Sequence, residues 1–316
     1  MGRTVLVASP RGFCAGVSYA IEIVDLLLDR HGPPVYVRHE IVHNRHVVDR
    51  LRRKGARFVE DLAEVPAGSL LVFSAHGVAP SVRTEARSRG FRVVDATCPL
   101  VAKVHLQVLK HARDGFDILM VGHRGHVEVT GTMGHAPDRM QLVETAGDVE
   151  RVVVRDPERV AVVMQTTLSV GDARGILDAI TRRFPAARTP PTDDICYATQ
   201  NRQTAVKHLA RNSDGLLVIG SRTSSNATRL AEVARAAGTP AHLIDDAADI
   251  DPAWLRDATT VGVTAGASTP EELVRGVVGF LRTQGFDDVR DVHVVDEDVS
   301  FPLPRELRGE PAAVSA

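Results

Sequence analysis

VVDATCPLVAKVH, residues 93–105, joins an apolar strand-like run to an amphipathic helical pattern, and Cys98 stands at the joint. Pro99 supports a helix start there, since proline at the first helical position loses no hydrogen bond and already has the right φ. The other two cysteines sit at the same kind of junction, Cys14 in SPRGFCAGVSYAI (9–21) and Cys196 in PTDDICYATQNRQ (191–203).

Outward from these junctions the chain repeats one programme three times. A helix opens at CAGVSYAIEIV, CPLVAKVHLQVL and CYATQNRQTAVKHL; a strand with a polar end follows in VYVRHEIVHN, ILMVGHRGHVE and LLVIGSRTSSN. A strand with an acidic turn comes next, in FVEDLAEV, LVETAGDV and LIDDAADI, and a strand ending in small or polar residues closes each round, in LLVFSAHG, VAVVMQTTLS and TVGVTAGAS. The acidic element begins 44 residues after Cys14 and after Cys98, and 47 after Cys196. Short Val/Leu/Ile runs alternating with helical patterns are the signature of buried parallel strands. The sequence therefore predicts an α/β protein of three similar domains with mainly parallel sheets: 15–97, 98–194, and 195–283 together with the opening strand in 1–14. Residues 284–316 form a C-terminal extension, partly extended or disordered: FPLPREL is expected to pack as an arm on the body or on a second subunit, and GEPAAVSA to be disordered. Ligands of parallel sheets gather at the carboxyl ends of the strands. A pseudo-threefold arrangement would bring all three cysteines and the polar strand ends to one centre.

Composition narrows the partners. The 316 residues are 44% hydrophobic and 25% charged with a formal net charge of −2, enough to fill real cores and without the basic runs that nucleic acid or an anionic membrane would call for. No apolar run approaches membrane-spanning length and MGRTVLVASP does not resemble a targeting segment, so a soluble, cytoplasmic protein acting on a small molecule is expected. Three widely spaced cysteines make a poor disulfide framework, which leaves free thiols or metal ligands.

One cysteine alone is most often packing. Three in equivalent places of three repeats favour a metal, and each helix start, with its unpaired N–H groups, is expected to favour the metal-binding thiolate. Soft sulfur selects zinc, Cu(I) or an iron–sulfur cluster, and three protein ligands leave a position open for chemistry. His43, His76 and His126 follow apolar strands beside polar or glycine neighbours and are site candidates, whereas His39, His105, His111 and His208 fit structural or surface roles. Glu128, two residues from His126, is the candidate proton donor. Ser224, Ser225 and Asn226, with Thr166, Thr167 and Ser268, supply hydroxyls and an amide suited to a phosphate or diphosphate. Neither a Walker A loop nor G-x-G-x-x-G occurs, so no nucleotide cofactor is indicated, and TDD before Cys196 reads as a turn cap.

PRGFCAGV, VHNR, SAHGV, DATCPLV, GH..H.E..GT, QTTLS, DDICYAT, GS..SSN and TAGAS, in this order from about Val5 to about Leu281, resemble the 4-hydroxy-3-methylbut-2-enyl diphosphate reductase (LytB-like) family of the non-mevalonate isoprenoid pathway. The resemblance implies three α/β domains around an oxygen-sensitive [4Fe–4S] cluster, one per subunit, held by Cys14, Cys98 and Cys196 with one iron open to the substrate hydroxyl. It implies that His43, His76, His126, Thr166, Thr167, Ser224, Ser225, Asn226 and Ser268 bind substrate, and that Glu128, with Thr166 and His126, delivers protons. The implied reaction is a two-electron reductive dehydroxylation to isopentenyl and dimethylallyl diphosphates, the last step of that pathway, fed by a donor such as ferredoxin or flavodoxin, in a monomer or homodimer. Val127 and Thr130 depart from the Pro and Glu expected in GHVEVTGT. The residues alone also admit a three-cysteine zinc enzyme acting on a phosphorylated metabolite, or a non-catalytic cluster carrier or sensor.

Overall fold

Three parallel sheets, each with helices on both faces, make up the computed structural model, which describes residues 2–190 and 194–308. The chain opens with β1 (Thr4–Ser9). The first unit then runs α1 (Ala15–His31), β2 (Val35–Arg38), α2 (Arg45–Lys54), β3 (Ala56–Val59), β4 (Leu70–Phe73), α3 (Pro80–Ser88) and β5 (Arg92–Asp95). The second comprises α4 (Pro99–Arg113), β6 (Asp117–Val121), α5 (Val127–Met133), β7 (Met140–Val143), β8 (Val160–Met164) and α6 (Val170–Arg183). The third comprises α7 (Tyr197–Ala210), β9 (Gly215–Ile219), α8 (Ser225–Ala236), β10 (Ala241–Ile244), β11 (Thr260–Ala265), α9 (Glu271–Thr283) and β12 (Asp288–His293).

The sheet orders are β3-β2-β4-β5, β7-β6-β8 and β10-β9-β11-β1-β12, parallel throughout. Strands covered on both faces are buried along their whole length: LLVF of β4, DILMV of β6 and VAVVM of β8 are buried at every position. Alternate residues feed two cores, so Val35, Val37 and Val72 pack beneath α1 while Tyr36, Leu71 and Phe73 pack with Ala86 of α3.

The units are joined in a ring by the strand that precedes each cysteine. β5, which leads to Cys98, pairs with β4 of the first sheet; Arg188, on the way to Cys196, bridges to Ala161 of β8; and β1, which leads to Cys14, pairs with β11 of the third sheet. Each cysteine thus follows a segment paired with one sheet and starts the first helix of the next unit. The acidic turns prove structural. Each is a 3₁₀ turn in which an acid takes the backbone N–H groups at its start: Glu64 accepts from Glu60 N and Asp61 N, Asp148 from Glu144 N and Thr145 N, and Asp249 from Asp245 N.

The tail requires a correction. A boundary at 283 cuts off β12, which pairs with β1 along six residues from Thr4↔Asp288 to Ser9↔His293, so the third unit continues to His293. Beyond it FPLPREL lies on the first unit of the same chain, with Phe301 edge-on to Tyr19 at 6.4 Å and Leu303 and Leu307 against the core beneath α1. Residues 309–316, GEPAAVSA, lie outside the described residues. Among the described residues no helix is long and apolar enough to cross a membrane.

Candidate functional site

The ring brings the three cysteines to one cavity by one repeated device. The backbone N–H of Cys14 donates to Ala267 O (3.1 Å), that of Cys98 to Ala75 O (3.0 Å) and that of Cys196 to Thr166 O (3.0 Å). Each acceptor lies two residues past the closing strand of a unit, and the next residue in each case, Ser268, His76 or Thr167, lines the cavity. Cys14, Cys98 and Cys196 are the N-caps of α1, α4 and α7. All are free thiols. They face about 670 Å³ of empty space shared with every other candidate from the sequence: His43, His76, His126, Glu128, Thr166, Thr167, Ser224, Ser225, Asn226 and Ser268.

Glycine makes the sulfur end of the cavity possible. A Cβ on Gly16, in the first turn of α1, would stand 2.5 Å from Cys98 Sγ and 3.9 Å from Cys14 Sγ, so the two sulfurs converge on space that only a glycine leaves open. Cys196 Sγ lies 3.2 Å from Thr199 Oγ1, which also accepts from Asn226 Nδ2 at 3.2 Å. Thr199 was not among the sequence candidates; its signal is its place one helical turn after Cys196 in CYAT. At two of the three cysteines the expected bias toward thiolate is outweighed in the protein alone. Although Leu100 and Val101 N–H groups favour the ion, burial and the neighbouring Cys14 push Cys98 up to about 12, and burial with Cys14 pushes Cys196 up to about 11. Such thiols ionise against a cation, and thiolate donors at three helix starts suit a soft-metal group of positive charge. Among the described residues no group of three His, Cys, Asp or Glu side chains could hold a single metal ion.

Glu128 is a buried carboxylate in the first turn of α5, not a loop acid. Its Oε1 accepts from Thr166 N (2.6 Å) and its Oε2 from Thr166 Oγ1 (2.9 Å). Burial outweighs these bonds and raises it to about 7. His126 caps the same helix, its Nδ1 accepting from Glu128 N at 3.2 Å, which leaves Nε2–H as its free donor. Burial and the neighbouring His43 lower His126 to about 3, and burial likewise lowers His76 well below the ordinary range, so both are neutral.

His43 and His76 stack with centroids 4.1 Å apart, and His126 stands edge-on to His43 at 5.5 Å. His43 is held from two sides: Nδ1 meets Glu40 at 3.2 Å, and its backbone carbonyl accepts from Ser268 Oγ at 2.9 Å. His39, read as structural, does not line the cavity, yet its ring lies 5.6 Å from that of His43 with Nδ1 on Glu60 at 2.8 Å. His105 is buried against His135 at 4.1 Å. The polar wall opposite is bound into a network in which Thr167 Oγ1 donates to Ser225 Oγ (3.0 Å) and Gln165 Nε2 donates to Thr167 Oγ1 (2.8 Å). Asn226 Oδ1 accepts from Ala267 N at 2.8 Å, and Ser224 Oγ caps α8 through Ala227 N at 3.3 Å. Among the described residues no Lys or Arg lines this space. Val127 and Thr130 face a separate recess with Arg38 and His39. Of TDD, Asp194 accepts from Met164 N at the end of β8 (3.0 Å), while Thr192 and Asp193 lie outside the described residues.

A model of the LytB protein family matches residues 5–282. The chain belongs to the LytB family. LytB relatives named 4-hydroxy-3-methylbut-2-enyl diphosphate reductase include one from Mycolicibacterium gilvum, 56% identical over 97% of this chain and 92% of its own. Another is the reductase 2 of Mycobacterium tuberculosis, 57% identical with the same coverage. Among solved LytB-type structures, the E-1-hydroxy-2-methyl-but-2-enyl-4-diphosphate reductase of Plasmodium falciparum superposes with a TM-score of 0.95 at 38% identity, covering 98% of both chains. A second, described as the terminal enzyme of the non-mevalonate pathway, gives 0.64 at 31% identity, covering 89% of this chain and 99% of that one.

Proposed function

We propose that this chain is a 4-hydroxy-3-methylbut-2-enyl diphosphate reductase that uses an iron–sulfur cluster on Cys14, Cys98 and Cys196. The observation that carries the reading is the cavity itself: three cysteine-capped helix starts, a buried carboxyl near neutrality and an uncharged wall of hydroxyl, amide and imidazole groups enclose one space. A [4Fe–4S] cluster with one iron free of cysteine would pass the donor's electrons on one at a time and offer an open site for the substrate hydroxyl. A zinc ion on the same cysteines has no redox chemistry and would carry no electrons to the substrate. A carrier or sensor would leave Glu128 and the hydroxyl wall without a task.

The substrate's C–O bond breaks as two electrons and two protons enter, giving water and either isopentenyl or dimethylallyl diphosphate. Glu128, protonated up to about pH 7 and oriented by both Thr166 bonds, gives a proton to the departing oxygen. His126 Nε2–H, His76, the hydroxyls of Thr167, Ser224, Ser225 and Ser268, and the Asn226 amide bind the diphosphate, aided by the α8 N-terminus. His43, its Nδ1 held on Glu40 at 3.2 Å, has Nε2 left for the diphosphate. A redox protein such as a ferredoxin or flavodoxin delivers the electrons, to a cytoplasmic monomer or homodimer.

Anaerobically purified protein is expected to be brown, to contain iron and sulfide, and to consume the hydroxylated diphosphate with a reduced viologen as donor. Colourless protein with stoichiometric zinc overturns the reading.

A further inference from the structure

Arg202 is wholly buried in α7, two turns beyond Cys196, and its guanidinium reaches across to the turn that carries Cys14. Nε and Nη2 donate to Gly12 O at 3.1 and 2.7 Å, Nη2 also approaches Phe13 O at 3.4 Å, and Nη1 donates to Ala198 O at 3.0 Å. The same helix holds the other side of that turn, Tyr197 OH accepting from Ala15 N at 3.2 Å. The helix capped by Cys196 therefore grips the backbone before and after Cys14.

A buried guanidinium left without an anion is strongly destabilising. Its anion here is Glu297, from the segment that follows β12, with Oε2 3.0 Å from Nη1 and Oε1 3.1 Å from Nη2. Asn201 Nδ2 donates to the same carboxylate at 3.1 Å. The turn has little freedom on its other side, where a Cβ on Gly12 (φ +64°) would meet Thr269 O at 2.9 Å.

We propose that Arg202, Tyr197 and Glu297 are positioning residues that fix the Cys14 turn against the Cys196 helix, so that the C-terminal segment governs how firmly the cluster is held. This rests on the reading of the cysteines as cluster ligands. None of the three touches the substrate space, and their effect is on the spacing of two ligand-bearing elements.

The test uses the full chain, reconstituted anaerobically, as wild type, Tyr197→Phe, Glu297→Gln and Ile180→Val, the last a core change in the second unit. Iron and sulfide per chain, the rate of bleaching on exposure to air or a chelator, and the thermal midpoint of the metal-free protein are measured. Bleaching is expected to accelerate about threefold in Tyr197→Phe and about tenfold in Glu297→Gln, from the loss of one hydrogen bond and of a charged partner. Ile180→Val is expected to lower the midpoint and leave bleaching unchanged. Wild-type bleaching rates in both clasp variants, or equal acceleration in Ile180→Val, overturn the proposal; if Glu297→Gln does not accumulate, Tyr197→Phe decides alone. A wild type that takes up no iron and sulfide removes the functional reading and this one with it, whereas a stable wild-type cluster with unaltered variants removes this one only.

Discussion

At Glu128, two opposed influences act on one carboxyl. Burial favours the neutral acid, the Thr166 N–H and hydroxyl favour the ion, and burial wins by enough to hold the group at about 7. A proton donor of that kind works while protonated, so turnover is expected to fall as pH rises through about 7. In Glu128→Gln that alkaline limb should vanish and kcat should drop on the order of 100-fold with iron content unchanged, measured by reduced-viologen turnover across pH alongside iron analysis. The same shift has a stability consequence: the folded form keeps a proton that the unfolded form releases, so stability declines between pH 4.5, the ordinary value, and about 7, in thermal scans of wild type against Glu128→Gln. Gly16 is the second decisive position. A Cβ 2.5 Å from Cys98 Sγ forces the sulfur or the helix to move, so Gly16→Ala is expected to lose most of its cluster occupancy, read by iron and sulfide analysis.

Helix starts carry most of the site at the scale of elements. α1, α4 and α7 present cysteines, and α8 presents Ser224, Ser225 and Asn226 at the positive end of a 12-residue helix. Ser224 caps that helix through Ala227 N. Ser224→Ala should therefore cost about 1 kcal/mol of stability from the lost cap and raise KM more than it lowers kcat, separable by denaturant titration and steady-state kinetics. These helix starts were legible in the sequence because cysteine, proline or serine stands where an apolar run meets a helical period. The thiol ionisation state was not, since it depends on burial and on a second sulfur supplied by another unit.

For the whole molecule, closure of the third sheet by the two ends of the chain is the governing feature. β1 lies between β11 and β12, and the segment after β12 delivers Glu297 to Arg202 and Leu307 to the first unit's core. A chain ending at Gln284 would expose the edge of β1 and strand a buried guanidinium. It is expected to give insoluble or associated protein, in contrast to a chain ending at Arg308, by soluble yield and size-exclusion chromatography.

The threefold programme, the parallel α/β class and the candidate site residues were open to reading because short-range signals carry them: apolar runs, helix starts and polar strand ends recur in register. The acidic turns recur too, yet Glu64, Asp148 and Asp249 cap local backbone rather than line the cavity, a distinction that needs coordinates. Only the tertiary structure decided that β12 belongs to the third sheet, that Asn226 reaches Thr199, and that Arg202 clasps Glu297. Each of those depends on partners brought together by packing, or on a polar side chain whose burial its own neighbours in sequence do not announce.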